Sequence, residues 1–190
     1  MEIRVIPTAI PEVAVIETEF KRDERGFFME TYHRQRYAAA GLDADLVQDN
    51  HSRSARGVLR GMHYQGPPAA MVKLVRCTAG AILDVAVDLR VGSPTFGKWV
   101  AEELTAENMR QLWVPVGFGH GFLTLSEFAE VQYKCSAYYA PEVEGAVAWD
   151  DPDLAIDWPL ADPVLSPRDQ RAMRLREYLE RPAFQYGPGE

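Results

Sequence analysis

The chain has 190 residues, of which 47% are hydrophobic and 25% are charged, and its formal net charge is −8 at neutral pH. This size and composition are typical of a globular protein with one sizeable core, so we expect a single domain over residues 1–190. The negative charge argues against nonspecific nucleic-acid binding, which normally needs a basic face, but a few local cations would suffice for a small anion.

Neither a membrane span nor a secretion signal is visible in the sequence. No apolar run approaches the ~20 residues that a transmembrane helix needs, and the start, Met1 to Val5, lacks the basic and apolar regions of a signal peptide. Cys77 and Cys135 lie in strand-like stretches without a Cys-x-x-Cys spacing, which favours buried free thiols over a disulfide or a zinc site. We therefore expect a cytoplasmic protein.

The predicted elements are mostly short strands. Two β-rich runs, at 12–19 and 26–32, flank a charged turn, and residues 34–40, closed by Gly41, predict a short helix with a glycine C-cap. Further strands are predicted at 46–51, 58–65, 72–78, 81–89, 99–104, 111–114, 120–125 and 131–138. Glycine and proline punctuate the gaps, at the roughly 8 to 12 residue spacing that is typical of a β-sandwich or barrel.

Long amphipathic helices do not alternate with these strands, so a Rossmann-type sheet is disfavoured. After Asp150 the chain becomes loop-like. Ser166 as N-cap, Pro167 at the first helical position and Asp169 at the third then predict a polar helix over 166–180.

The stretch 56–65 carries the strongest chemical signal. Arg60, His63, Tyr64 and Gln65 lie there in a strand pattern, and a buried strand rarely holds so many hydrogen-bonding and titratable groups without a use for them. His63 alone is as easily a packing histidine as a general base, but its neighbours favour a pocket. A metal site is disfavoured, because a His-x-His ligand pair would need histidine where the chain has Gln65.

Other candidates have ordinary structural explanations as well. Period-two alternation puts Tyr133 on one face of its strand, where an aromatic inward stripe is the simplest interpretation. Lys73 opens a strand and would usually be solvated, although an inward ammonium would stabilise an enolate oxygen. Asp169 in a first helical turn is already stabilised by the helix dipole, and Asp84 lies on a strand face where it could simply line a barrel.

Many ordered blocks together make the chain resemble the dTDP-4-dehydrorhamnose 3,5-epimerases, nucleotide-sugar epimerases with a cupin-type jelly-roll fold. The blocks are 56–65, 73–76, 84–90, 92–97, 110–115, 117–122, 133–135, 138–141 and 149–152, and the likeness runs from about residue 5 to residue 169. The resemblance implies an all-β fold, namely a cupin-type jelly-roll β-sandwich or barrel with short peripheral helices and a C-terminal helix.

The resemblance also implies an activity: epimerisation of dTDP-4-dehydro-6-deoxy-D-glucose at C3 and C5 to dTDP-4-dehydro-L-rhamnose, in dTDP-L-rhamnose or related deoxysugar biosynthesis. It implies no metal and no redox cofactor, and a homodimer. By resemblance His63 is the base, Asp169 orients it, Lys73 stabilises the enolate and Tyr133 returns a proton. The substrate contacts implied are Arg25, Glu30, Gln48, Asp49, Asn50, Arg60, Lys73, His120, Tyr139, Glu144 and Arg168.

The chain departs from the family pattern at Arg168, where lysine is frequent, and around Met71, where a glutamine and a small residue usually precede the lysine. Several alternatives stay open at this point. The nearest are an epimerase that inverts only C3 or only C5 and a 3,4-ketoisomerase. More distant ones are a metal-dependent cupin oxygenase and a noncatalytic sugar-nucleotide binder.

Overall fold

The computed structural model describes residues 1–187, which form mainly antiparallel β-strands. The strands are β1 Ile3–Pro7, β2 Ala14–Thr18, β3 Phe20–Asp23, β4 Gly26–Met29, β5 Gln48–Ala55, β6 Leu59–Gln65, β7 Lys73–Ala79, β8 Ala81–Asp88, β9 Trp99–Thr105, β10 Gln111–Val114, β11 Phe118–Thr124, β12 Phe128–Cys135 and β13 Glu144–Ala146. Two six-residue helices, α1 Arg34–Ala39 and α2 Leu175–Glu180, accompany them. No helix in this described part is long and apolar enough to cross a membrane.

Two sheets face each other. One has six strands in the order β1-β2-β10-β7-β12-β5, the other has five in the order β13-β6-β11-β8-β9, and the β3–β4 hairpin forms a separate two-stranded sheet. Apolar side chains from both inner faces, such as Val75, Val131, Ile82 and Phe122, pack into one core cluster. The prediction of an all-β, cupin-like fold is confirmed.

The outer faces of both sheets are partly covered. Tyr37 of α1 packs with Leu74 and Trp113 on the outside of the six-stranded sheet. On the five-stranded sheet, Met62 and Tyr64 of β6 pack in a cluster with Tyr178 of α2. This outer packing determines which side chains of β6 are left to point inward, because neighbouring residues of a strand face opposite sides of the sheet.

Most predicted strands are present with shifted ends. The helix near residue 34 ends before Gly41, whose φ of +84° suits the glycine predicted there. β12 spans Phe128–Cys135, so the predicted strand over 131–138 starts earlier and stops before residues 136–140. The short strands β1, β3 and β13 lie outside the predicted set, and β3 occupies part of the charged turn predicted between the first two runs.

The prediction of a helix over 166–180 is wrong. The chain makes only a 3-10 turn at Asp169–Arg171 and the short α2. Between them Met173 is extended and pairs with Val147: its N–H donates to the Ala146 carbonyl at 3.2 Å and its carbonyl accepts from Ala148 at 2.8 Å. Those bonds use the backbone groups that a continuous helix would need for itself.

Candidate active site

A cavity of about 240 Å³ lies between the inner faces of the two sheets. Residues from both sheets line it, together with the loop after β12. Seven of the predicted site residues are among its lining: Gln48, Asn50, His63, Lys73, Tyr133, Tyr139 and Glu144. The structure therefore brings together side chains that are separated by up to 96 residues in sequence, from residue 48 to residue 144.

The five-stranded wall contributes His63. β6 lies between β13 and β11, and its alternate residues Met62 and Tyr64 are buried in the outer core cluster. Since side chains alternate along a strand, His63 and Gln65 face the cavity. The apolar residues around the histidine thus fix the wall on which it stands.

The six-stranded wall contributes Tyr133 and Lys73. Tyr133 of β12 pairs in register with Val75 of β7 and with Asn50 of β5, and Cys135 pairs with Lys73. Val131 of the same strand face lies in the central core, while Gln132 on the other face is exposed. The alternation predicted for this strand is confirmed over β12.

His63 is held by a buried carboxylate. Its Nε2 lies 2.5 Å from Oδ1 of Asp169, whose side chain is only 3% exposed. The hydroxyl of Ser166 donates to the second carboxylate oxygen at 2.7 Å and accepts from the Asp169 N–H at 3.1 Å. The 3-10 turn thus positions Asp169, and Asp169 positions the ring.

Burial and hydrogen bonding set the protonation state of each member of this pair. Burial lowers the pKa of His63, although the Asp169 carboxylate works against that shift. Burial disfavours ionisation of Asp169, but hydrogen bonds from His63 and Ser166 more than offset it, so the pKa of Asp169 is lowered. Near neutral pH the imidazole is neutral and the carboxylate ionised. With Nε2–H bound to Asp169, Nδ1 keeps the free lone pair.

The opposite wall supplies a proton donor and a cation. Burial raises the pKa of Tyr133, so its phenol stays protonated near neutral pH. Burial lowers the pKa of Lys73. Within residues 1–187 its Nζ forms no ion pair, and its side chain lines the cavity, where it is available to a ligand oxygen. The same residues contain no group of three or more His, Cys, Asp or Glu side chains placed to hold a metal ion.

The mouth of the cavity carries exposed polar and aromatic groups. Tyr139 is 57% exposed, and its hydroxyl donates to Oε2 of Glu144 at 2.8 Å. Arg168 forms an ion pair with the same oxygen at 2.8 Å. Arg60 of β6 is not among the lining residues; it reaches across to the facing sheet, where its Nε donates to the Ser54 hydroxyl at 3.0 Å.

Besides Arg60 and Arg168, four predicted substrate contacts are absent from the cavity lining and bind other partners. Arg25 lies at the tip of the β3–β4 hairpin and pairs with Asp23, and Glu30 pairs with Arg36. Asp49 alternates to the outer face of β5, where Lys134 binds it at 2.7 Å. His120 stands beside His63 in the paired strand, but its ring is 7% exposed and bound to Asp84 at 2.7 Å.

The structure also adds lining residues that the sequence did not assign to ligand contact. Met71 lies two residues before Lys73 and shares its side of the chain, and Cys135 stands next to Lys73 in the sheet. Strand alternation from Lys73 and Tyr133 would have found both. Ser166 was visible only as a helix cap, because its bond to the Asp169 carboxylate depends on the turn that replaces the predicted helix.

Comparison with known proteins identifies relatives along nearly the whole chain. The family model for dTDP-4-dehydrorhamnose 3,5-epimerase matches residues 7–177. A dTDP-4-dehydrorhamnose 3,5-epimerase of Pseudomonas aeruginosa is 56% identical over 165 residues, which is 86% of this chain and 91% of that protein. A dTDP-4-dehydrorhamnose 3-epimerase of Streptomyces niveus is 45% identical over 176 residues, covering 92% and 85% of the two chains.

Solved structures agree with the fold. The dTDP-6-deoxy-D-glucose-3,5-epimerase of Legionella pneumophila, solved in complex with dTDP-4-keto-L-rhamnose, superposes with a TM-score of 0.94 at 48% sequence identity. The match covers 98% of this chain and 100% of that one.

Proposed function

This chain belongs to the dTDP-4-dehydrorhamnose 3,5-epimerase family, and from that premise we propose that its cavity turns dTDP-4-dehydro-6-deoxy-D-glucose into dTDP-4-dehydro-L-rhamnose. The enzyme is an isomerase that inverts C3 and C5 of a nucleotide-linked 4-keto sugar. The ketone at C4 acidifies the hydrogens on both neighbouring carbons, so proton removal and return are enough for the reaction.

The observation that carries this proposal is the placement of His63 and Tyr133 on facing walls of one cavity. Inversion requires that a proton leave one face of a carbon and that another arrive on the opposite face. His63 is neutral near pH 7 because burial lowers its pKa, so its Nδ1 accepts the proton. Tyr133 keeps its proton because burial raises its pKa, so it donates from the other side.

Lys73 has the third role. Removal of a proton beside the ketone places negative charge on O4, and a fixed ammonium in a cavity that excludes water stabilises that charge. Lys73 stands on the same sheet as Tyr133, next to Cys135 in the paired strands, and its Nζ forms no ion pair within the described residues. Asp169 keeps the His63 ring oriented and stabilises the imidazolium that forms after proton removal.

The nucleotide binds at the mouth. A cavity of about 240 Å³ is smaller than the roughly 300–1,000 Å³ of sites that enclose a drug-sized ligand, so the sugar enters and the dTDP part extends outward. Tyr139 offers an exposed ring for stacking on the base, and the guanidinium groups of Arg60 and Arg168 suit phosphate oxygens.

We further propose that the working form is a homodimer. The β3–β4 hairpin pairs with neither large sheet and exposes 58% of Phe27 and 68% of Phe28, which is unusual for large apolar side chains. Arg25 and Glu30, which do not reach the cavity of their own subunit, lie on or beside this hairpin. A second copy would cover the phenylalanines and receive these two side chains at the mouth of its site.

Incubation of the protein with dTDP-4-dehydro-6-deoxy-D-glucose in heavy water, followed by NMR of the sugar ring, tests the activity. We expect inverted product with deuterium at both C3 and C5. Deuterium and inversion at one centre alone would instead identify a single-centre epimerase. Tight binding without any exchange would leave a sugar-nucleotide binder.

A further inference from the structure

The backbone around Tyr139 is held by two glutamine side chains. Tyr139 lies in the segment after β12 that has no regular secondary structure. Its N–H donates to Oε1 of Gln48 at 3.0 Å. The carbonyl before it, from Tyr138, accepts from Nε2 of Gln65 at 3.0 Å, and the N–H after it, from Ala140, donates to Oε1 of Gln65 at 2.9 Å. Side chains therefore bind one backbone group of each of three consecutive residues.

Gln65 is fully committed to this task. It is 5% exposed, and its amide nitrogen also donates to the carbonyl of Ala69 at 2.5 Å. Both amide hydrogens are thus used on backbone carbonyls and the amide oxygen is used on a backbone N–H. Although Gln65 lines the cavity, it has no donor left for a ligand. Its bonds join the loop after β6 to the loop after β12, at the edge where the cavity opens.

We propose that Gln65 is a positioning residue for nucleotide binding, which acts by holding Tyr139 in the orientation that stacks on the base. The inference rests on the proposed function, in which the base of the dTDP group meets the Tyr139 ring. An exposed aromatic residue on an irregular segment would otherwise sample many orientations, and ordering it on binding would weaken affinity. The amide of Gln65 fixes that segment before the ligand arrives.

The test is a double-mutant cycle on dTDP affinity, measured by calorimetry with dTDP alone. We expect Gln65→Leu to raise the Kd for dTDP about tenfold, because the variant removes a buried hydrogen-bonding side chain. The KM for the nucleotide sugar should rise by a similar factor while kcat stays within about twofold, because the proton-transfer groups are untouched. In a Tyr139→Ala background the Gln65→Leu change should have no further effect on Kd.

Ser126→Ala is the matched control, since the Ser126 side chain also bonds backbone groups, the Ala81 N–H and the Phe128 carbonyl at the starts of β8 and β12, but away from the cavity. It should leave dTDP affinity unchanged. If Gln65→Leu does not fold, Gln65→Glu serves in its place, because it keeps the acceptor and the shape but loses the amide donors.

Unchanged dTDP affinity in a folded Gln65 variant would overturn the proposal, and so would an equal loss in the presence and absence of Tyr139. Because dTDP binding needs no turnover, these results are independent of whether the wild-type protein epimerises the keto sugar. Failure of the wild type in heavy water would refute the proposed activity alone.

Discussion

At the scale of single residues, burial assigns different protonation states to groups that share one cavity. It lowers the pKa of His63, which leaves a neutral base, and raises the pKa of Tyr133, which leaves a neutral acid. It also lowers the pKa of Lys73. The same physical cause thus shifts the base, the acid and the lysine that share the cavity.

These shifts determine the expected pH dependence of kcat/KM. The base must be unprotonated, and since the pKa of His63 is lowered, the acid limb should have its midpoint below about 6.5, the ordinary histidine value. The cation must be protonated, and since the pKa of Lys73 is lowered, the alkaline limb should lie below about 10.5. Initial rates across the pH range measure both limbs. An acid midpoint well above 6.5 would contradict the environment described for His63.

Much of the residue-scale site follows from the sequence, because alternation along β6, β7 and β12 is set by apolar neighbours that are visible in it. His63 and Tyr133 could be placed on inward faces in this way. That the two side chains stand on opposite walls of one cavity could not be predicted in this way, since it depends on which strands join which sheet. The bond between Asp169 and His63 spans 106 positions and arises from a turn that competes successfully with a helix.

At the scale of elements, β6 and β11 approach so closely that the glycines between them are required. A Cβ on Gly121 would stand 2.8 Å from the Arg60 carbonyl oxygen and 2.8 Å from the Met62 sulfur. The packing of β6, the strand that carries His63, therefore requires a residue without a side chain at position 121 of β11. Sequence reasoning found the glycines of the block 117–122 but not this contact, which exists only after the strands pair.

We expect Gly121→Ala to destabilise the protein by about 1–3 kcal/mol, because the two strands must separate to admit the methyl group. Gly66→Ala is the control, since a Cβ there would meet its nearest neighbours at 3.4 Å and 3.5 Å, an ordinary contact distance. It should change stability by no more than about 0.5 kcal/mol. Urea unfolding of both variants gives the comparison, and equal stabilities would disprove the close packing of β6 on β11.

At the scale of the whole molecule, the proposed homodimer would bring the hairpin of one subunit to the cavity of the other. One chain presents a site that lacks Arg25 and Glu30, and a hairpin that exposes two phenylalanines. The sequence predicted these two residues as substrate contacts only through family resemblance. Their position on or beside the β3–β4 hairpin, away from the cavity of their own chain, could not be derived from composition or periodicity.

A subunit-complementation experiment tests this arrangement. The variants His63→Ala and Arg25→Ala should each have low activity at substrate concentrations well below KM. Purified heterodimers of the two should recover about half of the wild-type activity, because one of the two sites then combines an intact His63 with an intact Arg25 from the partner subunit. A mixture of separately purified homodimers, assayed before subunits exchange, is the control. Heterodimers as inactive as the parents would show that Arg25 does not act across the interface.

The placement of a base and an acid on opposite walls is tested by incubating the variants Tyr133→Phe and His63→Ala with the 4-keto sugar nucleotide in heavy water. NMR then measures deuterium incorporation and inversion at C3 and C5 of the sugar. We expect His63→Ala to lose exchange at both carbons by about 10²–10⁴-fold, since His63 is the proposed base for both. Tyr133→Phe should still exchange deuterium but return it without inversion, because only the His63 face can supply a proton. Exchange at the wild-type rate in His63→Ala, or inverted product at the wild-type rate in Tyr133→Phe, would contradict an acid and a base on opposite walls.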